Sequence, residues 1–150
     1  MNGSIVDKAM SGAVGRPAKA TSDGILADVG ELTGRVLLSA IFFISGLGKI
    51  GAYSVTAGYM QAVGVPGALL PLVIATEVLG AIAIVAGWRT RIVAFLLAGF
   101  TLLSALLFHN NFGDQVQAIM FLKNVSIAGG LLLLVATGAG RLSVDARANK

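Results

Sequence analysis

The sequence predicts an all-α integral membrane protein, an antiparallel four-helix bundle with both ends on the cytoplasmic side. Three observations carry this reading. Apolar residues make up 56% of the 150-residue chain and charged residues only 12%, against about a quarter charged in an average soluble domain. One soluble core of this size cannot hide so much apolar surface, whereas a bilayer can. The apolar residues fall into four continuous runs, each close to the roughly 20 residues a helix needs to cross a membrane. Lysine and arginine recur at alternate connections between the runs, as orientation in a membrane requires.

Residues 1–29 are rich in Ala, Gly, Ser and Asp and contain no apolar run. They read as a flexible cytoplasmic tail, with no secretory signal expected. A transmembrane domain follows over residues 30–140. Its helices are expected at about 32–50, 67–87, 92–109 and 119–138, and residues 141–150 form a second cytoplasmic tail. Strands are excluded because the runs are continuous rather than alternating. Helices are required because lipid offers no partner for backbone N–H and C=O groups. Residues 51–66 read as a loop. The turn Trp88-Arg89-Thr90-Arg91 is short enough to make the second and third helices antiparallel neighbours. The pairs Ala83 and Gly87, Ala94 and Ala98, and Ser126 and Gly130 have the small-xxx-small spacing that lets helices approach closely in lipid.

Orientation follows from the basic residues. Lys8, Arg16 and Lys19 precede the first helix, Arg89 and Arg91 occupy the middle turn, and Arg141, Arg147 and Lys150 follow the last helix. The loops at 51–66 and 110–118 carry no Lys or Arg, so they are expected outside. The net charge of +4 therefore reports topology. Nucleic-acid binding is not expected, because no basic patch with interleaved aromatics is present. The chain has no cysteine and one histidine. That excludes disulfides, thiol redox chemistry, iron–sulfur ligation and a bis-histidine haem built from this chain alone, and no metal site is expected.

A charge inside a membrane span costs about 2.5–3.5 kcal/mol on the insertion scale, so each one needs a reason. Arg35, Lys49, Glu77 and Lys123 lie within or at the ends of the runs, and His109 closes the third. Arg35, Ser39, Phe42, Ser45 and Lys49 recur every three or four residues, which puts both charges on one helix face about 21 Å apart. Glu77 is the deepest charge, about 15 Å from the outer end of the second helix. It is offset if Lys49 or Lys123 is brought to it. The candidate site is thus an inward-facing polar cluster of Glu77, Lys49, Lys123, Asn124 and His109, opening outward, with Arg35 as a secondary candidate near the cytoplasmic face. A purely structural account stands beside it. Arg35, Lys49 and Lys123 can snorkel to the surfaces, His109 can sit at the interface, and Glu77 can hydrogen-bond a neighbouring helix. Trp88, Tyr53 and Tyr59 fit interfacial anchors.

Taken in order, these residues resemble the DoxX family of small four-helix membrane proteins. The resemblance runs from about Gly34 to Asp145. It rests on Gly34-Arg35, Ser45-Gly46-Leu47-Gly48-Lys49-Ile50, Tyr59-Met60, Gly64-Val65-Pro66, Glu77-Val78-Leu79-Gly80 and Gly87-Trp88-Arg89-Thr90-Arg91. Phe108-His109, Phe121-Leu122-Lys123-Asn124, Gly129-Gly130-Leu131 and Ser143-Val144-Asp145 complete it. The resemblance implies a bundle in the bacterial inner membrane. The family takes its name from a subunit of a thiosulfate:quinone oxidoreductase, and other members are implicated in membrane oxidoreductase complexes and thiol-stress resistance. It therefore implies a non-autonomous subunit or accessory that binds a quinone or similar small molecule, with a soluble or membrane redox partner. A non-enzymatic scaffold or anchor, or a small permeability protein, is the alternative. A scaffold predicts that loops and the basic tail matter more than Glu77. A permeability protein predicts that Glu77 and Lys123 matter without any redox partner.

Overall fold

The structure is a computed structural model that describes residues 18–148, with side chains from Gly24 onward. The expected tail segments 1–17 and 149–150 lie outside the described residues. The elements are α1 (Ala18–Gly51), α2 (Tyr53–Ala62), a single 3-10 turn (Gly67–Leu69), α3 (Leu70–Ala86), α4 (Thr90–Phe108), α5 (Gln115–Thr137) and a short α6 (Val144–Ala148). Among the described residues there is no strand. The segments Gly67–Ala86, Thr90–Phe108 and Gln115–Thr137 are each long and apolar enough to span a membrane, and α1 with α2 forms a fourth such segment bent by 100°.

Two boundaries differ from the sequence expectation for physical reasons. First, α1 begins at Ala18 rather than near 32 and runs for 34 residues, about 51 Å at 1.5 Å per residue. That exceeds a hydrocarbon core of roughly 30 Å, so its first turns stand beyond the bilayer. Those turns have a partner: Asp28 pairs with Arg141, 3.6 Å away, in the segment after α5. The absence of an apolar run hid this, because the extension is tied by an ion pair to the far end of the chain rather than by apolar burial. Second, residues 53–62, expected as loop, form α2. The chain breaks at Ala52, and α2 turns across the outer end of the bundle with Met60 buried beneath it at 3% exposure.

The start of α5 at Gln115 has a local cause. The Asp114 carboxylate accepts from the amides of Val116 at 2.7 Å and Gln117 at 3.3 Å, capping otherwise unpaired donors. The helix therefore begins in a polar turn ahead of the apolar run that sets the expected start near 119.

The helices associate as two close pairs, α1 with α3 and α4 with α5, which meet each other more sparsely. The half of the bundle nearer the α3–α4 turn is filled by Phe42, Ala81, Ile84, Ala94, Leu97, Ala98, Ala128 and Leu131. Half of these are alanine, as expected where dispersion and close backbone approach replace the hydrophobic effect. Ala94 and Ala98 act as their spacing predicts. Ser126 does not: it is exposed and its hydroxyl donates to Leu122 O at 3.0 Å.

Arg35 anchors the same end. It is 2% exposed, so it does not snorkel. Its guanidinium donates to Ile84 O at 3.3 Å, to Val85 O at 3.0 Å and to Leu142 O. The last carbonyls of α3 have no intrahelical donors, and Arg35 supplies donors to two of them. Gly87 ends α3 in the left-handed region at φ 71°. Its amide donates to Ile84 O, and that of Trp88 to Ala83 O, the paired bonds of a Schellman cap. A side chain at Gly87 would also collide with Arg35 and Ser143. Asp145 then accepts from the amides of Arg89 at 2.7 Å and Thr90 at 2.9 Å, capping α4. One end of the bundle is thus laced by Arg35, the Gly87–Thr90 turn and the Ser143–Asp145 segment. The basic residues Arg89, Arg91, Arg141 and Arg147 gather at this end, the cytoplasmic one on the orientation their placement sets.

Candidate functional site

The outer half of the bundle holds a cavity of about 460 Å³ between the two helix pairs. All four long helices line it, and α2 covers it through Thr56, Tyr59 and Met60. Its wall is mostly apolar, from residues such as Phe42, Val73, Phe100 and Ile127. Every member of the cluster expected from sequence, Lys49, Glu77, His109, Lys123 and Asn124, lines this one cavity. Arg35 does not; it belongs to the opposite end.

Within the cavity the charges are unequal. Lys49 Nζ donates to both carboxylate oxygens of Glu77 at 2.8 Å and to Ser45 Oγ at 2.6 Å. Ser45 Oγ in turn donates to Glu77 Oε1 at 3.2 Å. Glu77 is 5% exposed, while the Lys49 side chain retains 24% exposure. The burial cost of the carboxylate is offset by a two-point ion pair with a hydroxyl completing it. Ser45 lies one turn before Lys49 on α1, and that i, i+4 spacing was a legible signal for the third member.

The choice of Lys49 over Lys123 is made by helix approach. At Gly46 a Cβ would lie 2.7 Å from Val78 Cγ2 and 3.3 Å from Glu77 Cβ. The missing side chain lets α1 settle against α3 beside Glu77, and Lys49 follows one turn later. Lys123 is left exposed at the cavity edge, its ammonium 3.2 Å from Met120 Sδ. Among the described residues it forms no ion pair.

His109 is oriented by a residue the sequence reading passed over. Its Nδ1 lies 2.8 Å from Gln117 Oε1. An amide oxygen only accepts, so this contact assigns the proton to Nδ1 and leaves Nε2 as an acceptor in the neutral ring. Tyr59, expected only as an interfacial anchor, reaches across from α2: its hydroxyl donates to Phe108 O at 3.4 Å and its ring lies 5.6 Å from that of Phe108. The outer end is therefore roofed, where an outward-opening cluster was expected. Phe112 and Phe121, edge to face at 5.0 Å, brace the loop between α4 and α5.

Four apolar helical segments, a laced basic end and a roofed polar cavity at the other end define a small multi-pass membrane protein with an internal ligand-sized space. Residues 30–110 match the DoxX family. The chain is 51% identical over 125 residues to the inner membrane protein YqjF of Escherichia coli, covering 83% of this chain and 96% of that protein. It is 42% identical over 123 residues to the inner membrane protein YphA of the same organism, covering 77% and 88%. A third relative, named "Putative oxidoreductase CatD", from Bacillus subtilis, is 32% identical over 80 residues, covering 53% of this chain and 59% of that protein. No solved structure matches. The chain belongs to the DoxX family and is a multi-pass protein of the inner membrane.

Proposed function

We propose that this protein is the membrane component of an oxidoreductase system and that its outer cavity binds a quinone or a similar small ring molecule. The observation that carries this reading is the cavity itself: mostly apolar and of a size typical of small-molecule sites, with a few polar groups converging from four helices. The residues fit a quinone. Lys123 and Asn124 supply donors for a ring oxygen, and the aromatic and aliphatic wall suits the ring faces. Nε2 of His109 is an acceptor for the hydroxyl of the reduced form. A bound quinone would supply the redox chemistry, since no side chain described here carries electrons. The side chains supply orientation and proton handling. His109, held at Nδ1 by Gln117, can take a proton at Nε2. The Lys49–Glu77–Ser45 group holds fixed charges at the cavity wall without leaving a net charge there. The name of the relative CatD adds a family-level hint in the same direction, which is analogy rather than geometry.

A permeability role is disfavoured by the filled half of the bundle, where Phe42, Ile84, Leu97 and Leu131 close the path below the cavity. The test is equilibrium binding of decylubiquinone and decylubiquinol to the full chain in lipid nanodiscs. Saturable binding is expected, weakened about tenfold by His109→Ala for the quinol and by Lys123→Met for the quinone, equivalent to one lost hydrogen bond of about 1.4 kcal/mol. Absence of saturable binding of either form by the wild-type protein would overturn the reading.

A further inference from the structure

Both lysines of the cavity lie on one side of it. Lys49 and Lys123 belong to α1 and α5, which face each other across one side of the bundle. The opposite side is formed by the outer halves of α3 and α4, where Leu72, Val73, Leu103 and Leu107 line the cavity together with Thr76, Glu77, Thr101 and Ser104. The two helices touch lower down: a Cβ at Gly80 would lie 2.9 Å from Leu97 Cδ2. Gly80 is about 15 Å below the outer end of α3, and Leu97 about 16 Å below that of α4. Above this level, Leu72 and Thr76 of α3 and Leu103 and Leu107 of α4 line the cavity instead of closing on each other. Three of them also show on the outside of the bundle, Leu72 with 65% exposure, Leu103 with 56% and Leu107 with 39%. Residues that line a cavity and also face outward, in helices that cross the membrane, border an opening toward lipid. The outer end, by contrast, is covered by α2 with Met60 buried beneath it and Tyr59 bonded to Phe108 O.

We infer that the ligand enters sideways, from the bilayer, through an apolar portal between the outer halves of α3 and α4, and that it carries an apolar tail which remains in that portal. The nature of the head group rests on the reading proposed above; the route rests on geometry alone. The placement of the lysines orders the ligand. The head lies toward Lys123, Asn124 and the Lys49–Glu77 pair, and the tail leaves between Leu72 and Leu103. The ligand class is then a lipid-dissolved amphiphile with a polar ring and an isoprenoid or alkyl chain, and not a water-soluble metabolite delivered from outside.

The chain has no cysteine of its own, so a single introduced thiol reports access without background. Ser104 lines the cavity one residue from Leu103. In proteoliposomes, Ser104→Cys is expected to react with bilayer-partitioning pyrenyl maleimide at least about ten times faster than with a membrane-impermeant sulfonated maleimide, the ratio expected for a barrier difference of 1.4 kcal/mol or more. Adding Leu103→Trp should slow the pyrenyl reagent, and adding Leu103→Ala should speed it. Opposite effects of the two substitutions separate a portal from general damage. Equal labelling by both reagents, with neither Leu103 variant moving the rate, would overturn the portal. In a second arm, Leu103→Trp should slow association of decylubiquinone more than that of the tail-free dimethoxy-methyl-benzoquinone, which leaves no chain in the portal. If the wild-type protein binds neither quinone but the labelling pattern holds, the quinone reading fails and the portal stands.

Discussion

The ion pair between Lys49 and Glu77 is the residue-scale centre of the cavity. Replacing Glu77 with Gln leaves the Lys49 ammonium without its counter-charge. The cost is expected to be on the order of 2 kcal/mol, less than for a fully buried pair because Lys49 keeps part of its side chain exposed. Glu77→Gln combined with Lys49→Met should recover most of that loss, since removing both charges removes the need for pairing. Thermal unfolding in one detergent checks both; a double variant less stable than either single one would contradict the pairing argument. Gly46→Val tests why this lysine was chosen. A Cβ there already meets Val78 at 2.7 Å, so the larger side chain should push α1 from α3 at a cost of about 1–3 kcal/mol. It should also weaken decylubiquinone binding, although Gly46 itself does not line the cavity. At this scale the sequence was informative about which residues matter: one buried acid among few charges had to be paired. It did not show which lysine pairs, because that depends on how closely two helices approach at a single glycine.

Elements were legible where lipid alone dictates them and obscure where protein contacts do. The three spans α3, α4 and α5 follow from continuous apolar runs. The extension of α1 and the whole of α2 do not, since neither carries such a run. The caps at the cytoplasmic end are another case. Ser143-Val144-Asp145 is polar and short, yet Asp145 closes α4 from 55 residues away in sequence. Burial pushes the Asp145 carboxyl up, but the amides of Thr90 and Arg89 and the charge of Arg35 outweigh it and hold the group below its ordinary value. A carboxyl with a lowered pKa in the folded state stabilises fully above its unfolded value of about 4 and loses that contribution as pH falls through the folded value. Thermal stability should therefore drop as pH is lowered below about 4, and Asp145→Ala should flatten that part of the profile. At neutral pH the same substitution should cost about 1–2 kcal/mol, the range for a lost helix cap. An unchanged acid limb in Asp145→Ala would contradict the assignment.

For the whole molecule, the two ends have different tasks. The arginine-rich end is rigidly laced and filled; the other is hollow, roofed by α2 and open toward lipid between α3 and α4. Distribution of basic residues predicts that alkaline phosphatase fused after Phe112 is active in intact cells, and that the same enzyme fused after Lys150 is not. Activity of the second fusion would reverse the orientation and place the cavity on the cytoplasmic face. The fold class and the cluster's membership were legible because a bilayer penalises every charge it contains. The roof was not, because nothing in residues 53–62 taken singly says that they turn back across the bundle.

The proposed occupant of the cavity around Lys49, Glu77, His109 and Lys123 is a tailed quinone. Photolabelling with an azidoquinone in native-lipid nanodiscs, followed by peptide mapping, tests it most directly. Label should concentrate on α1 around Ser45–Lys49, on α4 around Leu103–His109 and on α5 around Lys123–Ile127, and excess decylubiquinone should displace it. Label spread over the lipid-facing surface and unaffected by the competitor would contradict it.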